Sequence, residues 1–138
     1  MTRSVYALFF VAFFMGAAAA QEYDCTDWQG KDQTTMNICS YEEFLKVDKS
    51  LNDAWGIVKP IIKNFSDELE ELEDKPENLW QSHLGAQRAW IKFRDLHCLT
   101  ERNLYFRGTI APTINNTCRT NITKERIKEL FRIVERLR

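Results

Sequence analysis

The sequence predicts an all-α protein, built as a long antiparallel helical hairpin with a shorter C-terminal packing helix and two disulfides. Three stretches carry apolar residues at steps of three and four, which is the spacing of one helix face. A break at Asp74-Lys75-Pro76-Glu77 separates the first two stretches, so that they can fold back on each other. Four cysteines follow an apolar N-terminal run, which is typical of a small exported domain.

The first 20 residues predict an export signal. Arg3 gives a basic start, residues 5–20 are apolar, and Ala18 and Ala20 are the small residues that a signal peptidase needs. We expect cleavage before Gln21, so that residues 1–20 are a signal peptide and residues 21–138 are one domain. An uncleaved anchor is the alternative, but the run is short for a span of about 20 apolar residues. The mature protein is therefore expected to be periplasmic or secreted, without a membrane span.

The charge of the mature chain does not indicate a polyanionic partner. Loss of Arg3 with the signal leaves 18 basic and 20 acidic residues, a net charge of −2. No basic stripe is interleaved with aromatic residues, so the sequence predicts no nucleic-acid partner.

All four cysteines lie in the mature part, at Cys25, Cys39, Cys98 and Cys118. An even number in a small exported chain predicts two disulfides, and the number alone permits three pairings. A zinc site is the alternative, but the chain has no Cys-x-x-Cys pair. We therefore predict neither a metal nor a cofactor.

An acidic segment follows the first predicted helix. The apolar face of that helix consists of Phe44, Val47, Leu51, Trp55, Val58 and Ile62, and Pro60 predicts a kink near Trp55–Gly56. A charge run is usually a solvated face, yet this one also offers contacts to a basic partner. The candidate partner-binding residues are Asp67, Glu68, Glu70, Glu71 and Glu73.

The second helix is predicted from about Glu77 to Leu104, with Asp74 and Glu77 as a capping box at its start. Its apolar arc is wide enough to pack on more than one neighbour. The arc contains Leu79, Trp80, Leu84, Ala86, Trp90, Ile91, Phe93 and Cys98. After a loop over residues 107–112, the third helix is predicted to begin near Thr123. Its buried stripe is Ile127, Leu130, Phe131, Val134 and Leu137.

No catalytic constellation is visible in the sequence. His83 and His97 lie 14 residues apart on one predicted helix, about 21 Å, which is too far to share a metal or to act together. Each is expected at the margin of the core. The carboxylates of the acidic segment lack the cleft and the distinct environments that a hydrolytic pair needs. The sequence therefore predicts a protein that is not an enzyme.

Three polar residues fall on or beside the apolar arcs. Gln87 and Arg94 lie inside the arc of the second helix, and Asp48 lies at the edge of the first. An unpaired buried arginine is costly, so Arg94 should pair with a carboxylate, and Asp48 is the first candidate. We interpret this pair as one that sets the register of the hairpin. The alternative is a catalytic base at Asp48, but no second catalytic group lies nearby on either helical wheel.

Three blocks of the sequence resemble the LprI-type domain, the N-terminal domain of a secreted bacterial lysozyme inhibitor. The central block is residues 86–98, AQRAWIKFRDLHC. The first is residues 35–39, TMNIC, with residues 47–52, VDKSLN, and the last is Cys118 with residues 121–126, NITKER. One departure lies in the loop after the second helix, where the family usually has Gly-Gly-Ser and this chain has Arg107-Gly108-Thr109.

The resemblance implies a bacterial binding protein that blocks a peptidoglycan-cleaving enzyme, so that its partner is a protein such as a lysozyme. The resemblance and loop closure together favour the pairings Cys25–Cys39 and Cys98–Cys118, with about 3 kcal/mol from each closed loop. The alternative function is a structural or interaction module of the cell envelope without inhibitory activity. Neither the binding face nor the oligomeric state follows from the sequence.

Overall fold

A computed structural model describes residues 23–73 and 76–137 and confirms the all-α class. A 3-10 turn, Trp28–Gly30, precedes three helices: α1 (Gln33–Glu70), α2 (Leu79–Asn103) and α3 (Ala111–Glu135). The described residues contain no β-strand. The predicted signal peptide and Asp74 of the predicted capping box lie outside the described residues.

The start predicted for α2 lies two residues from the observed one, whereas the start predicted for α3 was wrong. Helix α2 begins at Leu79, because Asn78 is its N-cap and accepts a hydrogen bond of 2.9 Å from the backbone N–H of Gln81. Helix α3 begins at Ala111, a dozen residues before Thr123, and Pro112 occupies its first turn. The extra turns bury polar side chains, so an apolar pattern could not reveal them. Helix α1 runs through Pro60 as one element.

The three helices pack with α3 as the common neighbour. Helix α3 runs parallel to α1, since Thr113 meets Asn37 at one end and Lys124 meets Glu43 further along. Helix α2 runs antiparallel to both and packs more closely on α3 than on α1. At 25 residues, α3 is as long as α2 and shorter than the 38-residue α1. Helix α3, which was predicted to pack on the hairpin, therefore makes most of the contacts that hold α1 and α2 together.

One end of the bundle, here called the apolar half, has an apolar core. Its core residues lie in the second half of α1 and the second half of α3, and they include Leu51, Val58, Ile62, Leu130 and Val134. Trp55, Leu79, Trp90, Ile127, Phe131, Ile133 and Leu137 pack around them. The apolar stripes predicted for α1 and α3 supply most of this core.

The opposite end, here called the polar half, has an interior rich in hydroxyl and amide groups. Helix α3 buries Thr113, Asn116, Thr120 and Thr123 against α1. The Asn116 side chain donates to Ser40 Oγ at 3.2 Å, and the Thr113 hydroxyl donates to Asn37 Oδ1 at 2.7 Å. These bonds satisfy polar groups that would otherwise be costly to bury.

Both disulfides lie in the polar half and have the predicted pairing. Cys25–Cys39 ties the N-terminal segment to α1, with Cα atoms 5.3 Å apart. Cys98–Cys118 joins α2 to α3, with Cα atoms 5.6 Å apart. None of the helices in the described part of the chain combines the length and apolar character that crossing a bilayer requires.

Candidate functional site

The structure brings Arg94 and Asp48 together across the bundle. Arg94 is 5% exposed in the middle of α2. Its Nη1 donates to Asp48 Oδ1 at 2.6 Å, and its Nε donates to Asp95 Oδ1 at 3.0 Å. The same Nη1 lies 3.4 Å from the Thr123 hydroxyl of α3. The guanidinium therefore contacts all three helices, which suits a residue that sets their register.

A second guanidinium group lies beside the first. The Arg119 guanidinium lies 3.7 Å from the Phe44 ring centroid, and that of Arg94 lies 5.3 Å from the same centroid. Arg119 Nε is 3.4 Å from Asp95 Oδ1, close enough for an ion pair but without the geometry of a hydrogen bond. The charges of Arg94 and Arg119 are thus balanced by the carboxylates of Asp48 and Asp95, and both guanidinium groups contact the Phe44 ring. Because Asp48 is engaged with Arg94, this cluster offers no free base beside a catalytic partner.

The histidines occupy different environments, and the prediction that both lie at the margin of the core was wrong for His83. The His83 ring is buried and stacks on Trp55 with centroids 5.0 Å apart. Burial, with a smaller contribution from the charge of Arg126, lowers the pKa of His83 below its ordinary value of 6.5. His97 is exposed and lies 3.3 Å from Glu101. Neither histidine has a nucleophile to activate among its described contacts.

One cluster in the described residues has the spacing of a metal site. Ligand atoms of His97, Glu101 and Cys118 lie within 4.8 Å of one another. However, the sulfur of Cys118 is bonded to Cys98 and has no thiolate to offer a metal. The remaining histidine and carboxylate lie one turn apart on the surface of α2, 3.3 Å from each other.

The acidic segment, residues 67–73, is exposed at the C-terminal end of α1. Asp67 pairs with Lys63 one turn earlier, and Glu70 accepts a hydrogen bond from Asn78. The C-terminal end of a helix dipole is negative, so acidic side chains there lower the stability of the helix. Helix stability therefore does not explain why this end of α1 is acidic.

The structure has a second exposed region that was not predicted from the sequence. The turn between α2 and α3, residues 104–110 and here called the tip, projects at the polar end of the bundle. Leu104 is 77% exposed, Phe106 72% and Tyr105 49%. The sequence signal was a Leu-Tyr-Phe triplet directly after the apolar arc of α2; the predicted helix ended at Leu104, and Tyr105 and Phe106 were assigned to no element.

The comparisons with known proteins place the chain in a family. Residues 25–130 match the family model described as lysozyme inhibitor LprI. The chain belongs to this family. An uncharacterized protein of Rhizobium meliloti (strain 1021) is 26% identical over 118 residues, which cover 86% of this chain and 84% of that protein. No solved structure matches.

Proposed function

We propose that this LprI family member is an extracytoplasmic binding protein that inhibits a peptidoglycan-cleaving enzyme. The observation that carries the proposal is the family match over residues 25–130. The two disulfides support an oxidising compartment, where the substrate of such enzymes lies. Blocking a cleft needs a complementary surface and no catalytic group of the inhibitor's own, in keeping with the engaged Asp48 and the disulfide-bonded Cys118.

The acidic segment is proposed to attract the partner. Lysozymes are commonly basic, and a cluster of exposed carboxylates raises the rate at which a basic protein associates. The segment lies at a helix end where acidic residues do not benefit the dipole of α1, which leaves its exposed carboxylates available to a partner. We expect the carboxylates to act mainly on the association rate, since rim charges steer encounter more than they hold a complex.

The direct test is inhibition of a panel of lysozymes acting on bacterial cell walls. The protein is purified after export with both disulfides formed, and binding is measured in parallel by surface plasmon resonance. We expect slower hydrolysis, with an association rate that decreases as salt increases. The Debye length falls from about 10 Å at 0.1 M to about 3 Å at 1 M, which screens long-range attraction. Binding must be measured directly because lysozyme activity itself responds to salt.

A charge-matched pair of variants isolates the acidic segment. The triple change Glu68→Gln, Glu70→Gln and Glu71→Gln should slow association while the dissociation rate and the helical content stay unchanged. A control removes the same amount of charge from dispersed exposed positions, through Glu42→Gln, Asp53→Asn and Glu125→Gln. Equal slowing by both variants would assign the effect to net charge and not to the segment.

A panel that shows neither binding nor inhibition with the correctly oxidised protein would contradict the proposal. The alternative, an interaction module of the cell envelope, would then become the leading account. A pull-down from envelope extract with the oxidised protein would then search for its partner.

A further inference from the structure

The tip is an exposed apolar surface at the end of the protein whose interior is polar. Leu104, Tyr105 and Phe106 are consecutive, and the outer two each expose more than 70% of their area. Three consecutive exposed apolar side chains cost solubility without stabilising the helices on either side. Aromatic residues and arginine are enriched in the buried centres of protein interfaces, which is the composition of this tip.

The tip is rigidly built. Successive turns close it, with Tyr105 N–H donating to the Arg102 carbonyl at 3.0 Å and Gly108 N–H donating to the Tyr105 carbonyl at 2.8 Å. The Asn37 side chain of α1 donates to the Thr109 carbonyl at 3.1 Å. The Cys98–Cys118 disulfide joins the two helices that carry the tip. A surface ordered before binding loses less conformational entropy on binding.

The tip is also cationic, in contrast to the chain as a whole. Residues 104–110 contain Arg107 and no acidic residue, and Arg102 lies just before them in the last turn of α2, next to Glu101. Among the described residues neither arginine has a carboxylate partner, whereas Arg94, Arg119 and Arg126 all do. The Arg107 guanidinium lies 5.2 Å from the Phe106 ring centroid, so the cation and the aromatic face are presented together.

We propose that the tip enters the substrate cleft of the inhibited enzyme, with Phe106 against its apolar wall and the Arg107 guanidinium paired with a cleft carboxylate. The inference rests on the proposed function and names the surface that performs it. A glycoside-cleaving cleft holds two carboxylates, one of which commonly lies in an apolar pocket. A guanidinium beside an aromatic ring complements both features, because arginine binds a carboxylate in a bidentate manner.

The acidic segment and the tip are then two separate surfaces. Helix α2 runs from one to the other over 25 residues, about 37 Å. The tip supplies the contacts that hold the complex, and the acidic segment acts on approach.

The test compares tip variants with matched controls in direct binding to a lysozyme that the unaltered protein inhibits. Phe106→Ala and Arg107→Glu should each weaken the equilibrium affinity about 30-fold or more, the effect of losing an interface hot spot. Ile57→Ala and Arg88→Glu remove a comparable exposed apolar side chain and reverse an equivalent exposed charge, both outside the tip and the acidic segment. We expect these controls to stay within about twofold, since interface truncations outside a hot spot cost little. Circular dichroism and a free-thiol assay establish that every variant is folded and oxidised.

A competition experiment tests the location on the enzyme. Tri-N-acetylchitotriose, which occupies the cleft, should displace the inhibitor from the lysozyme. If the unaltered protein binds but the tip variants bind equally well and the trisaccharide does not compete, the tip inference is wrong and the proposed function stands. If no lysozyme binds, both are wrong. If the tip variants instead lose binding to phosphatidylglycerol–phosphatidylethanolamine vesicles and not to lysozyme, the tip is a membrane contact and the inference is overturned.

Discussion

In the apolar half, α1 meets α3 through Val58, Ile62 and Leu130, all fully buried, whereas in the polar half the same two helices meet through hydroxyl and amide groups. The described residues place both disulfides in the polar half. Burial of aliphatic side chains stabilises the first half without covalent help. A neutral hydrogen bond contributes only about 1 kcal/mol net, so the second half depends on its covalent links and on Arg94.

The difference between the halves bears on function because the tip belongs to the polar half. The tip is joined to the rest of the bundle by Cys98–Cys118 and by the Asn37 side chain, which both lie in the polar half. Oxidation state and the Arg94 cluster should therefore affect the tip more than they affect the acidic segment at the other end. Variants that perturb one half at a time can separate the two.

The largest effect is expected from breaking the Arg94 pair. Arg94→Ala leaves Asp48 without its partner and removes contacts to Phe44 and Trp90, so it should lower the free energy of unfolding by about 3–5 kcal/mol. Asp48→Ala should cost less, because Asp95 still binds the guanidinium at 3.0 Å. Urea denaturation followed by circular dichroism measures both.

A double-mutant cycle provides the control for this prediction. Arg94→Met and Asp48→Leu, made singly and together, replace the partners by apolar groups, and the double variant should cost less than the sum of these two single changes. Additive, small effects would show that the pair contributes nothing to the register of the helices.

The second prediction concerns the disulfide below the tip. Cys98→Ser with Cys118→Ser opens a loop of 20 residues in sequence separation and should lower stability by about 3 kcal/mol. In hydrogen exchange, protection should fall first at the tip and the adjoining turns of α2 and α3, while the amides around Val58 and Leu130 stay protected. Uniform loss of protection would show that the two halves unfold as one unit.

The sequence predicted the helix faces of the apolar half better than those of the polar half. The stripes through Leu51, Val58 and Leu130 were predicted correctly, because apolar residues at helical spacing are the strongest sequence signal of a buried helix face. The first turns of α3 were missed because their buried face, Thr113, Asn116, Thr120 and Thr123, is polar. Those positions have helical spacing too, at steps of three, four and three. A search for periodic threonine and asparagine would have found the true start at Ala111.

For the candidate site, the sequence predicted electrostatic partners better than exposure. Arg94 and Asp48 could be paired from two helical wheels, because a buried cation requires a nearby carboxylate. Ile91 and Phe93, assigned to the apolar arc of α2, are exposed, whereas Cys98 of the same arc is buried and Leu79 and Trp90 pack against the core. Gln87 and Arg94, also placed inside the arc, are buried, so the predicted arc faced the correct side but extended too far toward Ile91 and Phe93. Exposure of the tip depends on where α3 starts, which the sequence did not reveal.

A third, smaller effect is expected from the pH dependence of stability in the apolar half. The pKa of buried His83 is lowered, so the folded state binds a proton more weakly than the unfolded chain does. The contribution of His83 to stability is therefore fully present above pH 6.5 and is lost as the pH falls from 6.5 through the folded-state pKa. Urea denaturation between about pH 8 and pH 5, the range in which histidine titrates, measures this decrease.

Two variants show which histidine causes the pH dependence of stability. His83→Phe keeps a ring against Trp55 and removes the titrating group, so it should flatten the dependence on the acidic side of pH 6.5. His97→Asn, which removes the exposed histidine of the polar half, is the matched control. A flat profile in the unaltered protein would mean that His83 is accommodated equally well in both protonation states.

The smallest effect comes from two glycines, one in each half. Gly85 is exposed inside α2, and a Cβ built there meets no atom within 4 Å, so Gly85→Ala should stabilise the protein by about 0.5–1 kcal/mol. At Gly108 of the tip, a Cβ would lie 3.3 Å from the Tyr105 carbonyl oxygen, which also accepts the Gly108 N–H. Gly108→Ala should therefore stabilise the protein less than Gly85→Ala does, or destabilise it, because the backbone must move to admit the methyl group.

Thermal unfolding of both variants measures the difference in stability, and lysozyme binding adds a second readout. Gly85→Ala should bind as the unaltered protein does, whereas Gly108→Ala should bind more weakly, because the tip turn that presents Arg107 is disturbed. Equal stabilisation with unchanged binding for both variants would show that the tip is not a rigid binding surface.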